Sequence, residues 1–171
     1  LGEAYRLLPS LVVNAIILGA MALACAAVAE VRPIGFTVLS NHWHLLLRAG
    51  SDPTAVSRFM QLLKSNVAVA MNAQLGIHGT FWARRFSSIV VLDDAPILAR
   101  LVYFNLNPVK AGLCGKFEEW TGISTTEHLL GARSACGDID LPLGLPPRWE
   151  GLDKAQLAEQ RVHLLAEVRA Q

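Results

Sequence analysis

From Leu11 to Val31 the chain carries one charged side chain, Glu30, over about the length an α-helix needs to cross a bilayer. Any fold has to bury this run, in lipid or against another element. Asn14 interrupts it, seven alanines fall between Ala15 and Ala29, and no basic flank of the kind that precedes a signal peptide or anchors a span is present. Alanine favours helix strongly but contributes little apolar surface. The run therefore reads as a helix packed on a sheet, with no stable membrane association and a cytoplasmic location expected. A membrane anchor is the rival, and partition between soluble and membrane fractions separates the two. Cys25, Cys114 and Cys136 form no CxxC pair, so neither a zinc knuckle nor a disulfide framework is indicated, in keeping with a reducing compartment.

Around that helix the other elements fall into place by pattern. Tyr5 to Leu8 reads as the end of a strand that begins earlier, and Pro9-Ser10 closes it. Ile34 to Leu39 and Leu45 to Leu47 read as strands of a hairpin, with Ser40-Asn41 at the turn. Asp52-Pro53 starts a helix in which Val56, Phe59, Met60, Leu63, Val67 and Met71 recur at helical spacing until Gly76 stops it. Phe86 to Leu92 reads as a further strand. Asp94 opens a helix striped by Ile97, Leu98, Leu101, Val102 and Leu106, expected to end near Asn107 because proline follows. A last amphipathic helix covers about Asp153 to Ala170.

This order predicts an α+β fold: a ferredoxin-like, four-stranded antiparallel sheet. Two helices, about Asn14 to Ala29 and Pro53 to Leu75, would cover one face, and the helix bearing Tyr103 would lie near the other. With 171 residues, one domain over 1–116 and a tail over 117–171 ending in a helix are expected.

The chemistry starts at His42-Trp43-His44. Residues two apart in a strand share a face, so the two imidazoles stand together while Trp43 points the other way. Paired imidazoles can ligate a divalent metal, and they can equally be surface or hydrogen-bonded histidines. Tyr103 and Asn107 lie four apart on a helix and come up on one side of it. A tyrosine beside a metal can be a nucleophile and an asparagine an oxygen ligand; packing and a helix terminus before proline are the plain alternatives.

Taken together, these segments resemble a known family. "GFTVLSNHWHLLL" at Gly35 to Leu47, "GTFWARRFSSIVVLDD" at Gly79 to Asp94 and "LVYFNLNPVKAGL" at Leu101 to Leu113 are similar to three blocks of the IS200-like or REP-associated tyrosine transposases, members of the HUH nuclease superfamily with a Y1 transposase domain. The resemblance spans roughly Tyr5 to Leu113 and leaves the tail without a recognised motif. It implies that His42, His44 and Asn107 hold Mg²⁺ or Mn²⁺, and that Tyr103 is the nucleophile of DNA transposition. The tyrosine would cut single-stranded or hairpin DNA through a covalent 5′-phosphotyrosine intermediate.

A net charge of +1 offers no bulk attraction for DNA, so binding must come from local groups. Trp82 with Arg84 and Arg85 mixes a stacking surface with phosphate-seeking cations, and structural packing is the plain alternative for Trp82. Arg48, Arg58, Lys64 and Lys110 would extend a basic edge. The rivals are a catalytically inactive or fragmentary DNA-binding relative and a metallohydrolase that uses water as its nucleophile. Monomer and homodimer are both open.

Overall fold

The computed structural model describes residues 5–125 and 141–171; Leu1 to Ala4 and Cys136 lie outside the described residues. Ser10 caps the first helix, its hydroxyl accepting from the Val13 amide at 3.2 Å, and α1 runs over Leu11–Ala27. Val13, Ile17, Met21 and Ala24 recur every three or four residues and are buried, whereas Leu11, Val12 and Leu23 are exposed. Among the described residues no helix is long and apolar enough to cross a membrane.

β1 (Val31–Val38) and β2 (Trp43–Ala49) pair as an antiparallel hairpin, with Thr37 opposite His44 and Val38 opposite Trp43. Asp52 then shapes the entry to α2 (Ala55–Leu75): one carboxylate oxygen accepts from the Thr54 amide and hydroxyl, and the other pairs with Arg58. Phe59, Leu63, Val67 and Met71 form the buried stripe of α2, which ends on Gly76 at φ 63°, a left-handed conformation open to glycine at little cost. α1 and α2 pack together against Val31, Phe36, Val38, Trp43, Leu45 and Leu47 of the hairpin.

α3 (Asp94–Lys110) and α4 (Lys154–Arg169) build a second core. Leu101, Val102 and Leu106 of α3 meet Leu164, Leu165 and Val168 of α4, with Ile34, Leu46, Phe117 and Trp149 completing the cluster. A β-bulge makes this possible. Pro33 pairs with Leu47 and Gly35 with Leu46, which leaves Ile34 as the extra residue and lets it join the α3 side. At Gly35 a Cβ would stand 2.2 Å from Leu101 Cδ2, so the bare backbone is what allows α3 to lie this close to β1. The tail thus shares its core with the helix that bears Tyr103.

The expected ferredoxin-like sheet is not formed. Among the described residues there are four α-helices and a sheet of two strands, β1 and β2. Phe86 to Leu92 has the composition of a strand, yet it is irregular, with Ile89, Val90 and Leu92 more than 80% exposed. β-propensity expresses fit to a pleated surface beside a neighbouring strand, and no described strand flanks this segment. Tyr5 to Leu8 likewise forms no strand and meets the hairpin turn through Leu7 N to Ser40 O at 2.8 Å. The outer edge of β1 is instead met by tail residues, through Val38 N to Ile123 O, Thr125 N to Phe36 O and an isolated bridge between Thr37 and Ser124. α3 also passes the expected stop at Asn107. Pro108 keeps a helical φ, withholds one donor from the Phe104 carbonyl, and the helix continues to Lys110.

Candidate active site

Strand alternation places His44 on the α3 side of β2, in phase with Leu46, while Trp43 and Leu45 face α1 and α2. His42, just before the strand, lies beside it: the ring centroids are 5.1 Å apart and the planes meet at 87°. Asn41 orients His42, its Oδ1 lying 2.6 Å from Nδ1. A carbonyl oxygen only accepts, so Nδ1 is the donor in this contact, and in the neutral ring Nε2 is the nitrogen that carries the lone pair.

α3 closes the site from the other side. Phe104 stacks on the His44 ring at 5.4 Å and 20°, and Tyr103 meets the same ring edge-on at 5.7 Å and 74°. His44 is half-buried, and that burial pushes its pKa below the ordinary 6.5; the positive fields of His42 and Arg100 push it the same way. Its imidazole is therefore neutral at neutral pH, the form that binds metals. Thr37, directly across the hairpin from His44, is fully buried with a hydroxyl that lacks a hydrogen-bond partner.

Tyr103 is 37% exposed and Asn107, one turn later on α3, is buried. The additional turn of α3 brings Lys110 over the Tyr103 ring, 5.6 Å from its centroid. His42, His44, Tyr103 and Lys110 therefore converge, although they come from two elements far apart in sequence. Among the described residues no group of three or more His, Cys, Asp or Glu is placed to hold a metal, so a third protein ligand beside the two histidines would have to be of another type, such as an amide.

The remaining candidates lie elsewhere. Trp82 stacks on Trp43 at 4.6 Å and donates its indole N–H to Lys64 O at 2.8 Å. Because Trp43 projects from the face opposite His44, Trp82 belongs to the α1–α2 side of the hairpin. Arg84 and Arg85 are exposed just beyond it. Arg48 forms an ion pair with Glu150, and Arg58 with Asp52. Asn41, Thr37, Arg100 and Phe104 escaped the sequence reading. Arg100 was within reach of it, standing three residues before Tyr103 and four before Phe104 on one helix.

No family model, curated protein or solved structure matches this chain.

Proposed function

We propose that the chain is a metal-dependent single-stranded DNA nuclease and strand transferase of the HUH tyrosine type, similar to the IS200-like transposases. The observation that carries this reading is the meeting of Tyr103 with the histidine pair: its ring lies 5.7 Å from His44, which lies 5.1 Å from His42. A phenol and two imidazoles of a strand's HxH motif in one partly exposed cluster are the parts such a reaction needs.

The donor set fits a divalent ion. His42 offers a free Nε2, His44 a neutral ring, and Asn107, one turn past Tyr103, an amide oxygen; these would be the ligands of Mg²⁺ or Mn²⁺. When bound, the ion supplies Lewis-acid polarisation of the scissile phosphate and a template for its orientation. Phe104 holds the His44 ring flat against α3, and Asn41 holds His42 by its other nitrogen, so neither imidazole has to be ordered at the moment of reaction. Lys110 adds positive charge at the phenol, where phosphate has to approach. In the cutting step the Tyr103 oxygen bonds to phosphorus as the bond to the 3′ oxygen breaks, and the phenolic proton ends on the released 3′-hydroxyl. A second 3′-hydroxyl reverses the same exchange and joins strands without a nucleotide cofactor.

The test is incubation with labelled single-stranded hairpin DNA and Mn²⁺, followed by denaturing electrophoresis. The unmodified chain should give a covalent adduct and Tyr103→Phe none, with DNA affinity kept, because only the hydroxyl of a partly exposed tyrosine is removed. An adduct that survives in Tyr103→Phe refutes Tyr103 as nucleophile. No adduct from the folded, metal-loaded parent favours the catalytically inactive reading.

A further inference from the structure

α3 and α4 enclose a groove of about 420 Å³ that opens beside Tyr103. Leu98 and Val102 line it from α3, Tyr103 and Lys110 stand on the same helix, and Arg148 and Glu167 face them from the tail. Small residues at Ala95 and Ala99 keep the α3 surface shallow, which is why two helices packed through Leu164, Leu165 and Val168 still leave this space between them. Arg148 is exposed, and its bond to Gln160 Oε1 is long, 3.4 Å, so most donors of its planar fork are free for a ligand.

We propose that this groove seats one nucleotide of the DNA strand adjoining the phosphate at Tyr103, with Lys110 and Arg148 holding backbone phosphate and the base lying over Leu98 and Val102. Two cations beside an apolar wall match the two halves of a nucleotide, and the volume is that of a small-ligand site. The groove is continuous with the candidate site, since Tyr103 belongs to both. Glu167, the carboxylate in the lining, disfavours phosphate near α4 and directs the backbone toward the Lys110 end. The tail, which carries no recognised motif, thereby becomes half of the substrate site. The assignment rests on the nuclease reading only for what occupies Tyr103; the groove and its charges stand independently of it.

The test measures the affinity of the full chain for fluorescein-labelled oligothymidine by anisotropy, in chelator and over a series of salt concentrations. Arg148→Ala should weaken binding about three- to tenfold and lower the slope of log affinity against log salt by about 0.7, the value for one phosphate contact on a single strand. Glu167→Gln should tighten binding, and Ala99→Trp, which fills the groove from an exposed position, should weaken it. Arg161→Ala, on α4 but outside the groove lining, should change neither affinity nor slope. Covalent adduct formation on hairpin DNA is followed with the same proteins. Unchanged affinity and slope in Arg148→Ala, with the adduct intact, overturns the groove and leaves the nuclease standing. Loss of affinity in Arg148→Ala where even the parent forms no adduct supports the groove and overturns the nuclease. Displacement by polyglutamate as strong as by unlabelled oligothymidine overturns the nucleotide assignment in favour of an acidic-protein site.

Discussion

Replacing Gly35 by alanine tests whether the close approach of α3 to β1 is what sets Tyr103 against His44. The new Cβ would lie 2.2 Å from Leu101 Cδ2, whereas ordinary contact begins at 3.4 Å, so about 1.2 Å must be recovered. Leu101 is only 3% exposed and packed within the α3–α4 core, which leaves its side chain little freedom to rotate away. The displacement then falls largely on α3, and overpacking of this kind costs about 1–3 kcal/mol. Tyr103 is two residues further along the same helix, and a misplacement of about 1 Å at a reacting group can cost on the order of a hundredfold in rate. Gly35→Ala should therefore lower the urea midpoint and slow adduct formation more than the stability loss explains. Leu101→Ala alone leaves a cavity and should cost about 2–5 kcal/mol. The double variant should cost less than the sum of the single effects and recover much of the adduct rate, since the added methyl enters the space that Leu101 vacates. Urea denaturation and adduct kinetics on the three proteins decide the matter. Full stability and rate in Gly35→Ala, or strict additivity in the double variant, would refute the argument.

Three further outcomes follow from the same geometry. Because burial lowers the His44 pKa, the unfolded chain takes up the proton more readily; stability is full above about pH 6.5 and falls as pH drops through the depressed folded value. Urea midpoints in chelator should decline from about pH 7 to about pH 5, less steeply in His44→Gln, and equal slopes in the two proteins would remove His44 as the cause. Trp82→Ala should cost about 3 kcal/mol through its lost contact with Trp43 while oligothymidine affinity stays unchanged; loss of affinity without loss of stability would return Trp82 to the DNA-binding groups. Thr37→Val removes a buried hydroxyl without a partner, so it should be neutral or stabilising by up to about 1 kcal/mol in thermal melts, and marked destabilisation would mean that the hydroxyl is satisfied.

Part of the candidate site's geometry was legible in short-range pattern. The two-residue spacing at the start of β2 keeps His42, just before the strand, beside His44, and the helical period puts Asn107 one turn from Tyr103, both local consequences of covalent geometry. The helices themselves were legible for the same reason: the stripe from Phe59 to Met71 and the stop at Gly76 are local signals. Distances between elements are not local. That α3 crosses the His44 face of β2 depends on the Ile34 bulge and on the missing Cβ of Gly35, neither of which any periodicity marks. The failure of Phe86 to Leu92 to join a sheet has the same origin, since a strand exists only where another backbone edge meets it, and valine and isoleucine cannot summon one. Trp82 stands among aromatic and basic residues in the sequence, and only its tertiary partner, Trp43, places it on the side of the hairpin opposite His44. The sequence alone therefore determined which groups face together within each element, because that is set by bond geometry. Tertiary packing decided which elements face each other, because it depends on contacts between residues distant in the chain.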